Sequence, residues 1–463
     1  MRFIGRELEL QALETDKEHS FVVLYGRRRI GKTALIHEFI KKKSALYFLA
    51  TEETEQQNMK RFSASLSSFA HQEFIAKANF NDWIELFRIF ADVPSDSTKI
   101  LVIDEFQYLV NTNPAFPSIF QKTWDEILSK KNIMVIICGS YINMMTRQVL
   151  SEKSPLYGRR TAQIRLAPLS FWEIYQHYID RTFSELVELY AVTGGVPKYM
   201  EFFDNDFSVI ENIFRSVLNK NGFLYDEPAF LLNKEVKEPV NYYSIMRIIA
   251  EGNHKLSAIS AAMQVNSNQL APYLETLRNL YLLERRTPVT EKTPEKSRKG
   301  LYIMKDIFMR FWFQFVFPYK GELELGNLNF VQERLKNHFI DNHVAFVYED
   351  ICRNIFSELC KQKQIDFIPS RIGSYWNKHE EIDLVAVDET NKRIFVAECK
   401  YYKEDKPVDV NIYAQLQKKS QIREFNGYDI VYGLFSKSGF SDHLKEISVN
   451  NGGLVLVNGI NVF

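Results

Sequence analysis

Neither sign of charge is in excess: 58 Lys and Arg balance 58 Asp and Glu, for a formal net charge of zero. No whole-molecule field draws such a chain onto nucleic acid or membrane, so any nucleic-acid contact must come from local patches. Long apolar runs are missing as well. The greasiest, 311–317 (FWFQFVF), is far too short to span a bilayer, and no membrane partner is expected. Cysteine is scarce, and Cys138, Cys352, Cys360 and Cys399 show neither the paired spacing of a zinc site nor a disulfide framework. The opening MRFIGRELEL carries charge too early for a secretory signal. A reducing cytoplasm is the expected home. What is present is ordinary for a globular protein, with 46% hydrophobic and 25% charged residues. At 463 residues the chain exceeds a single core, and about three or four domains are expected.

Residues 26–33 read GRRRIGKT and fit the phosphate-binding template G-x-x-x-x-G-K-[ST]. The run before it, 21–25 (FVVLY), is continuous and apolar, as a buried parallel strand should be. The run after it, 34–40 (ALIHEFI), reads as an amphipathic helix. Gly26 and Gly31 let the backbone wrap a phosphate without Cβ clashes. The loop N–H groups of Arg27, Arg28, Arg29, Ile30 and Ala34, with the helix N-terminus, then face the anion. Lys32 would reach the β- and γ-phosphates, and Thr33 would hold Mg²⁺ through its hydroxyl. ATP and Mg²⁺ are the cofactors this implies.

Further strands follow at 45–50 (ALYFLA), 100–105 (ILVIDE) and 133–138 (IMVIIC). A buried strand ending in two acids delivers carboxylates to the sheet edge. Asp104 would complete the Mg²⁺ shell, and Glu105 would polarise the attacking water. Ser140, just past the third strand, stands where a γ-phosphate sensor belongs. An extra strand between the phosphate loop and the acidic strand fits the additional-strand class of such α/β proteins. Gly5-Arg6-Glu7 reads either as a cover for adenine or as a surface turn. Residues 154–160 (SPLYGRR) precede a short strand at 162–166. Arg159 or Arg160 there reads as an arginine finger or as a solvated basic turn.

A helical lid is expected from residue 168. In 190–200 (YAVTGGVPKYM), Gly195, Val196 and Pro197 form a turn that packs near adenine or simply joins two helices. From 240 the pattern is that of a winged helix: helices at 242–250, 256–263 and 266–280, then strands 281–284 and 301–304 around a charged tip, 285–300. The tip reads as too polar to pack. The third helix offers Asn266, Asn268 and Gln269, so DNA is one candidate partner and protein packing the alternative.

GRRRIGKT, LVIDEF, SPLYGRR, TGGVPKYM and YIMKDIFMRFWFQFVFP together resemble the archaeal-type ATPases, a prokaryotic family near the STAND and origin-recognition branches of the AAA-like ATPases. The resemblance covers essentially the whole chain. It implies ATP binding by the first two domains, a winged helix, and a C-terminal nuclease-like domain.

In the last third, 318–329 reads as a linker. Glu349 lies on a helix with an apolar face, Asp383 in EEIDLVAV, and Glu398 with Lys400 in RIFVAECKYY. Residues two apart on a strand share a face, and 388–392 reads as the hairpin turn joining the two strands. Two carboxylates and an ammonium therefore converge. Hard oxygen ligands of this kind suit Mg²⁺-dependent phosphodiester hydrolysis. The pattern resembles the PD-(D/E)xK nuclease fold, a restriction-endonuclease-like domain, with Ile382 in place of the proline. Glu349 would add to the metal shell and Lys400 would position the water. Gln415 and Lys418 read as phosphate contacts or a solvated helix face, and Trp376 as a core anchor. His343 and His379 read as surface residues.

The expected domains are thus 1–167 (ATPase core), 168–236 (lid), 237–317 (winged helix) and 318–463 (nuclease-like). Three functions fit: an ATPase gating a DNA-directed nuclease, a STAND-type switch whose last domain only binds a partner, and a winged-helix DNA-binding regulator. A second copy of the chain is a further candidate partner.

Overall fold

The computed structural model describes residues 3–15, 19–403 and 406–463. The chain forms two compact units. The first runs to Pro168 and includes Val196–Lys198; the second comprises Leu169–Gly195 and Tyr199–Phe463.

The first unit is built on a parallel sheet. Its strands are β1 (Ser20–Tyr25), β2 (Ala45–Leu49), β3 (Lys99–Asp104), β4 (Ile133–Gly139) and β5 (Ala162–Arg165), in the order β2-β3-β4-β1-β5. Every residue of β1, β3 and β4 is buried. A strand covered on both faces must be apolar throughout, which is why these segments read as unbroken runs. Alternate residues still part to opposite faces. Phe21, Val23, Leu101, Ile103 and Ile137 pack with Trp83, Phe87 and Phe120. Val22, Leu24, Val102 and Ile136 pack instead with Leu35, Ile36 and Phe39, from the helix Lys32–Ile40. The register pairs Tyr25 with Gly139 and Ile103 with Ile137. Gly26, Asp104, Glu105 and Ser140 therefore leave the sheet at one edge, the carboxyl ends where ligands bind in such sheets.

The second unit begins with helices and ends in a mixed sheet. Helices Val240–Ala250, Leu256–Met263 and Ser267–Asn279 precede an antiparallel pair, β6 (Leu283–Arg286) and β7 (Leu301–Met304). The third helix opens with a capping box made by Asn266 and Gln269. The Gln269 side-chain oxygen accepts from Asn266 N–H at 3.1 Å, and both residues are exposed. The greasy run lies mostly in helix Ile307–Phe315, where Phe308, Phe311, Trp312 and Phe315 are buried and the Trp312 indole donates to Tyr225 O at 2.6 Å. No helix among the described residues is long and apolar enough to cross a membrane.

The remaining strands are β8 (Arg371–Trp376), β9 (Glu381–Asp388), β10 (Arg393–Lys400), β11 (Asp429–Ser436), β12 (Leu454–Asn458) and β13 (Asn461–Val462), ordered β13-β12-β11-β10-β9-β8. β8, β9 and β10 pair antiparallel, and β10, β11 and β12 parallel. The Asp388 carboxylate closes the β9–β10 turn by accepting from the N–H groups of Thr390 at 3.1 Å and Asn391 at 3.0 Å.

Three sequence expectations change here. The stretch read as a linker contains a helix, Lys320–Glu324, whose Leu323 is buried. The charged tip is not free: Val289 N–H donates to Ser374 O at 2.9 Å, and Arg371 donates to Val289 O at 2.8 Å. Sheet edges recruit main chain whatever the side chains, so polarity misled. His343 is wholly buried, with Nε2 2.6 Å from Ala191 O and Nδ1 3.1 Å from Gln314 Oε1. Burial pushes its pKa down to about 3, so it is a neutral core residue.

Gly195 fixes a close approach. Its φ is +71°, and a Cβ there would stand 2.0 Å from the Leu169 carbonyl oxygen. Both the dihedral and the space demand glycine. Gly195→Ala should cost about 2 kcal/mol or more in chemical denaturation; a loss indistinguishable from zero would contradict this reading.

Candidate functional site

The phosphate loop is shaped by Gly31, whose φ of +93° starts helix Lys32–Ile40 without a side-chain cap. The first helical N–H groups are thereby left for an anion. Lys32 is 7% exposed, and its ammonium donates to Gly26 O at 2.9 Å and Arg27 O at 2.7 Å. Burial pushes its pKa down, and the nearby Cys138, Glu105 and Asp104 offset part of that. Thr33 Oγ1 donates to Asp104 Oδ2 at 2.9 Å, joining the two residues expected to share Mg²⁺. Ile30 is buried and Ala34 exposed, so these contribute backbone.

Two residues that sequence reasoning passed over complete this edge. The Tyr47 hydroxyl donates to Asp104 Oδ2 at 2.8 Å. Gln107, fully buried, donates its amide to Glu105 Oε2 and to Ser140 Oγ. The signal for Tyr47 is a phenol in a strand otherwise apolar, since a covered hydroxyl needs a partner. Ser140 also donates to Glu105 Oε2, at 2.7 Å. Glu105 has φ +53°, a conformation that few non-glycine residues adopt. Glu105, Gln107 and Ser140 are therefore one hydrogen-bonded group.

Other loop neighbours are also placed. Arg28 donates to Tyr141 OH at 2.9 Å and Tyr108 OH at 3.3 Å. Burial alone would lower its pKa, but the two tyrosines and Glu105 hold the guanidinium above its ordinary value. Arg27 and Arg29 are half-buried beside it. Arg6 donates to Ile30 O at 3.0 Å and Ala167 O at 2.6 Å, so Gly5-Arg6-Glu7 is fastened to the loop. Pro197 Cγ lies 3.9 Å from where a Gly31 Cβ would be, and Lys198 N–H faces Arg29 O at 3.5 Å.

Arg159 and Arg160 are not brought to this edge. Arg159 pairs with Asp125 at 3.0 Å, and Arg160 donates to Leu150 O at 3.2 Å. Thr161, next in sequence, bonds to Phe21 at the start of β1. The loop follows the other end of that strand, roughly 15 Å away at about 3.3 Å per residue.

In the second unit, Asp383, Glu398 and Lys400 lie together. Lys400 Nζ bonds to Glu398 Oε2 and is 3.5 Å from Asp383 Oδ2. Cys399 N–H donates to Asp383 Oδ2 at 2.9 Å. Lys419, not Gln415 or Lys418, completes the group at 2.7 Å from Glu398 Oε1. Gln415 and Lys418 are exposed. Lys419 is three residues beyond the buried Leu416, a spacing that could have marked it. Glu349 faces Arg353 at 3.9 Å. Arg353 also donates to Asp383 O and to Asp350, which accepts from Arg286 of β6 at 2.7 and 2.9 Å. Trp376 is half-buried and donates to Lys299 O at 3.2 Å, while His379 is exposed.

Glu349, Asp383 and Glu398 do not make a preformed metal cage: no three His, Cys, Asp or Glu among the described residues are so gathered. The lysines intervene. Burial raises the pKa of Asp383, and the neighbouring Glu398 raises it further. Burial and then Asp383 do the same for Glu349. Lys400 and Lys419 outweigh burial at Glu398 and lower its pKa. Lys400 is itself raised by the two acids against its burial. Hard oxygens in mutual repulsion are a donor set that suits Mg²⁺, which takes one or two carboxylates and fills its shell with water and phosphate oxygens.

A carboxyl raised on folding stabilises fully below its unfolded pKa, and that stability is lost as pH rises through the folded value. Glu349 and Asp383 therefore weaken the metal-free second unit on the alkaline side. Glu349→Gln should shrink the fall in thermal midpoint between about pH 5 and about pH 9 in chelator. An unchanged wild-type-to-variant difference at both ends would refute the shift.

Residues 3–203 match the family described as an ATPase domain predominantly from Archaea. Residues 312–412 match one described as Archaea bacterial proteins of unknown function. An uncharacterized protein of Methanocaldococcus jannaschii is 34% identical over 439 residues, covering 94% of this chain and 95% of its own. Among solved structures, a Walker-type ATPase of Pyrococcus abyssi is similar with a TM-score of 0.52 and 19% identity, over 67% of this chain and 96% of that one. The ORC2 protein of Aeropyrum pernix gives a TM-score of 0.43 and 15% identity, over 71% and 96%. With its phosphate loop, acidic strand end and parallel sheet in place, the chain belongs to the archaeal-type P-loop ATPase family that the Methanocaldococcus protein shares.

Proposed function

We propose that this ATPase uses nucleotide binding and hydrolysis to control a Mg²⁺-dependent nuclease centre acting on DNA. In the first unit, Lys32 would grip the β- and γ-phosphates. Thr33 and Asp104 would hold Mg²⁺, and Glu105, with Ser140 beside it, would take the proton of the attacking water. In the second unit, Asp383 and Glu398 would hold Mg²⁺, with Glu349 nearby. The ion would supply charge stabilisation at the scissile phosphate. Lys400 would orient the water or steady the developing negative charge.

The observation that carries the reading is Lys400, bonded to Glu398 on its own strand and 3.5 Å from Asp383 on the next. The helices 240–279 with β6 and β7 fit a winged helix, and the domain limits 1–167, 168–236, 237–317 and 318–463 belong to the same proposal. Purified protein with ATP, Mg²⁺ and plasmid or branched DNA tests it. Asp383→Ala should abolish cleavage and leave ATP turnover in place; cleavage that survives the substitution sinks the nuclease reading. Glu105→Gln should lower ATP turnover by about 10²- to 10⁴-fold while nucleotide still binds, and unchanged turnover would remove Glu105 from the mechanism.

A second reading has its own support. Glu398 is already satisfied by two lysines, as a structural charge network would be. On that reading the chain is a nucleotide switch of the STAND type whose last domain only recognises a partner. Light scattering with a non-hydrolysable ATP analogue would then show a nucleotide-dependent oligomer in protein that cuts no DNA.

A further inference from the structure

We propose that Arg28 is the arginine that neutralises charge on the γ-phosphate of ATP, supplied by the same chain from inside its phosphate loop. This rests on reading 26–33 as the ATP site. Arg28 is the third residue of the loop, and its guanidinium lies at the sheet edge where β3 and β4 end. Tyr141, which holds it at 2.9 Å, directly follows Ser140; Tyr108, at 3.3 Å, is three residues past Glu105. The two strand ends that carry the water-polarising acid and the sensor hydroxyl thus also carry the groups that position Arg28. The guanidinium carbon is 4.8 Å from the centroid of the Tyr141 ring, which fixes the plane of the fork.

Two features make this a poised group rather than a structural one. Arg28 Nε is buried and has no hydrogen-bond partner among the described residues. A buried N–H left unpaired is costly, and an anion oxygen is the partner a guanidinium prefers. The hydrogen-bond partners Arg28 does have, Tyr108 and Tyr141, are neutral. Burial and the bond to Tyr108 push the Tyr141 phenol up to about 12, so it stays protonated at neutral pH. A phosphate oxygen outcompetes a phenol for a guanidinium. Arg159 and Arg160, bonded at the far end of β1, leave this role open within the chain.

The step balances simply. Water oxygen bonds to the γ-phosphorus, its proton goes to Glu105, and the β–γ bridging bond breaks with its electron pair leaving on ADP. Arg28 gains and loses no proton; it neutralises charge on the transferring phosphoryl oxygens. Because the arginine is internal, turnover per chain does not depend on a neighbouring copy.

The test uses full-length protein, wild type and Arg28→Ala, Arg28→Lys, Tyr141→Phe and Arg159→Ala. Turnover is followed across a dilution series. Affinities are measured with Mg²⁺ for ADP and for a non-hydrolysable ATP analogue. Arg28→Ala should lower kcat by about 10²- to 10³-fold, keep ADP affinity, and erase the preference for the analogue over ADP. Arg28→Lys, which keeps the charge but not the fork, should fall between. Tyr141→Phe, which frees the guanidinium, should strengthen that preference. Wild-type specific activity should be constant on dilution. Wild-type kcat in Arg28→Ala overturns the proposal, as does an equal loss of ADP and analogue affinity in both Arg28 variants. A specific activity that climbs with protein concentration and collapses in Arg159→Ala gives the role to a neighbouring copy instead. A wild type that binds neither nucleotide would count against the ATP site itself, a different failure.

Discussion

An ammonium ion almost out of water sets the terms for the first unit. Lys32 is satisfied by two loop carbonyls, and a buried cation is tolerable only with such partners and with opposite charge nearby. That charge comes from Asp104 and Glu105, two strands away in the sheet. Nothing local in the chain brings residue 32 to residue 104. The registers of β1 on β4 and of β4 on β3 do it, and those registers are held by the division of alternate side chains between two separate apolar cores. The chemistry at the sheet edge is therefore a consequence of packing far beneath it.

The second unit meets the same constraint with the signs reversed. Carboxylates are crowded at the ends of β9 and β10, and cations from three other places come to them: Lys419 from a following helix, Arg353 from the helix that carries Glu349, and Arg286 from β6 through Asp350. A charge network of this kind is destabilising to break at any one member, because each removal leaves another charge buried and unpaired. It also links the β6–β7 pair to the acidic cluster by an unbroken series of ion pairs and hydrogen bonds.

How much of this could be read from the sequence depended on whether the signal was contiguous. The phosphate loop, the acidic strand end and the strand before Ser140 each lie within a few consecutive residues, and so does the alternation that puts Glu398 and Lys400 on one face. That the first sheet is parallel and covered on both faces was legible in unbroken apolar runs, while its strand order came from the structure. The Asp104 partner of Tyr47 is reached across the sheet and the Glu398 partner of Lys419 from another element, so the sequence marks those residues only by a phenol in an apolar strand and a spacing from Leu416. Gln107 lies two residues from Glu105, but only the fold brings its amide to Ser140 as well. His343 was misread for a related reason: absence of a second metal ligand says nothing of a carbonyl waiting in a core. The tip at 285–300 was judged by its side chains, whereas its backbone made the contact.

That last contact has a consequence for how such proteins can be assembled. Val289 and Arg371 join the β6–β7 tip to β8, and Arg286 joins it to the helix bearing Glu349. The helical module and the terminal sheet share hydrogen bonds that a join near residue 318 would sever. Recombination between relatives at that point would orphan a strand edge in one parent's half and take Arg286 from Asp350 in the other's, leaving only Arg353 as its counter-ion. The two segments should be inherited, and engineered, as one piece.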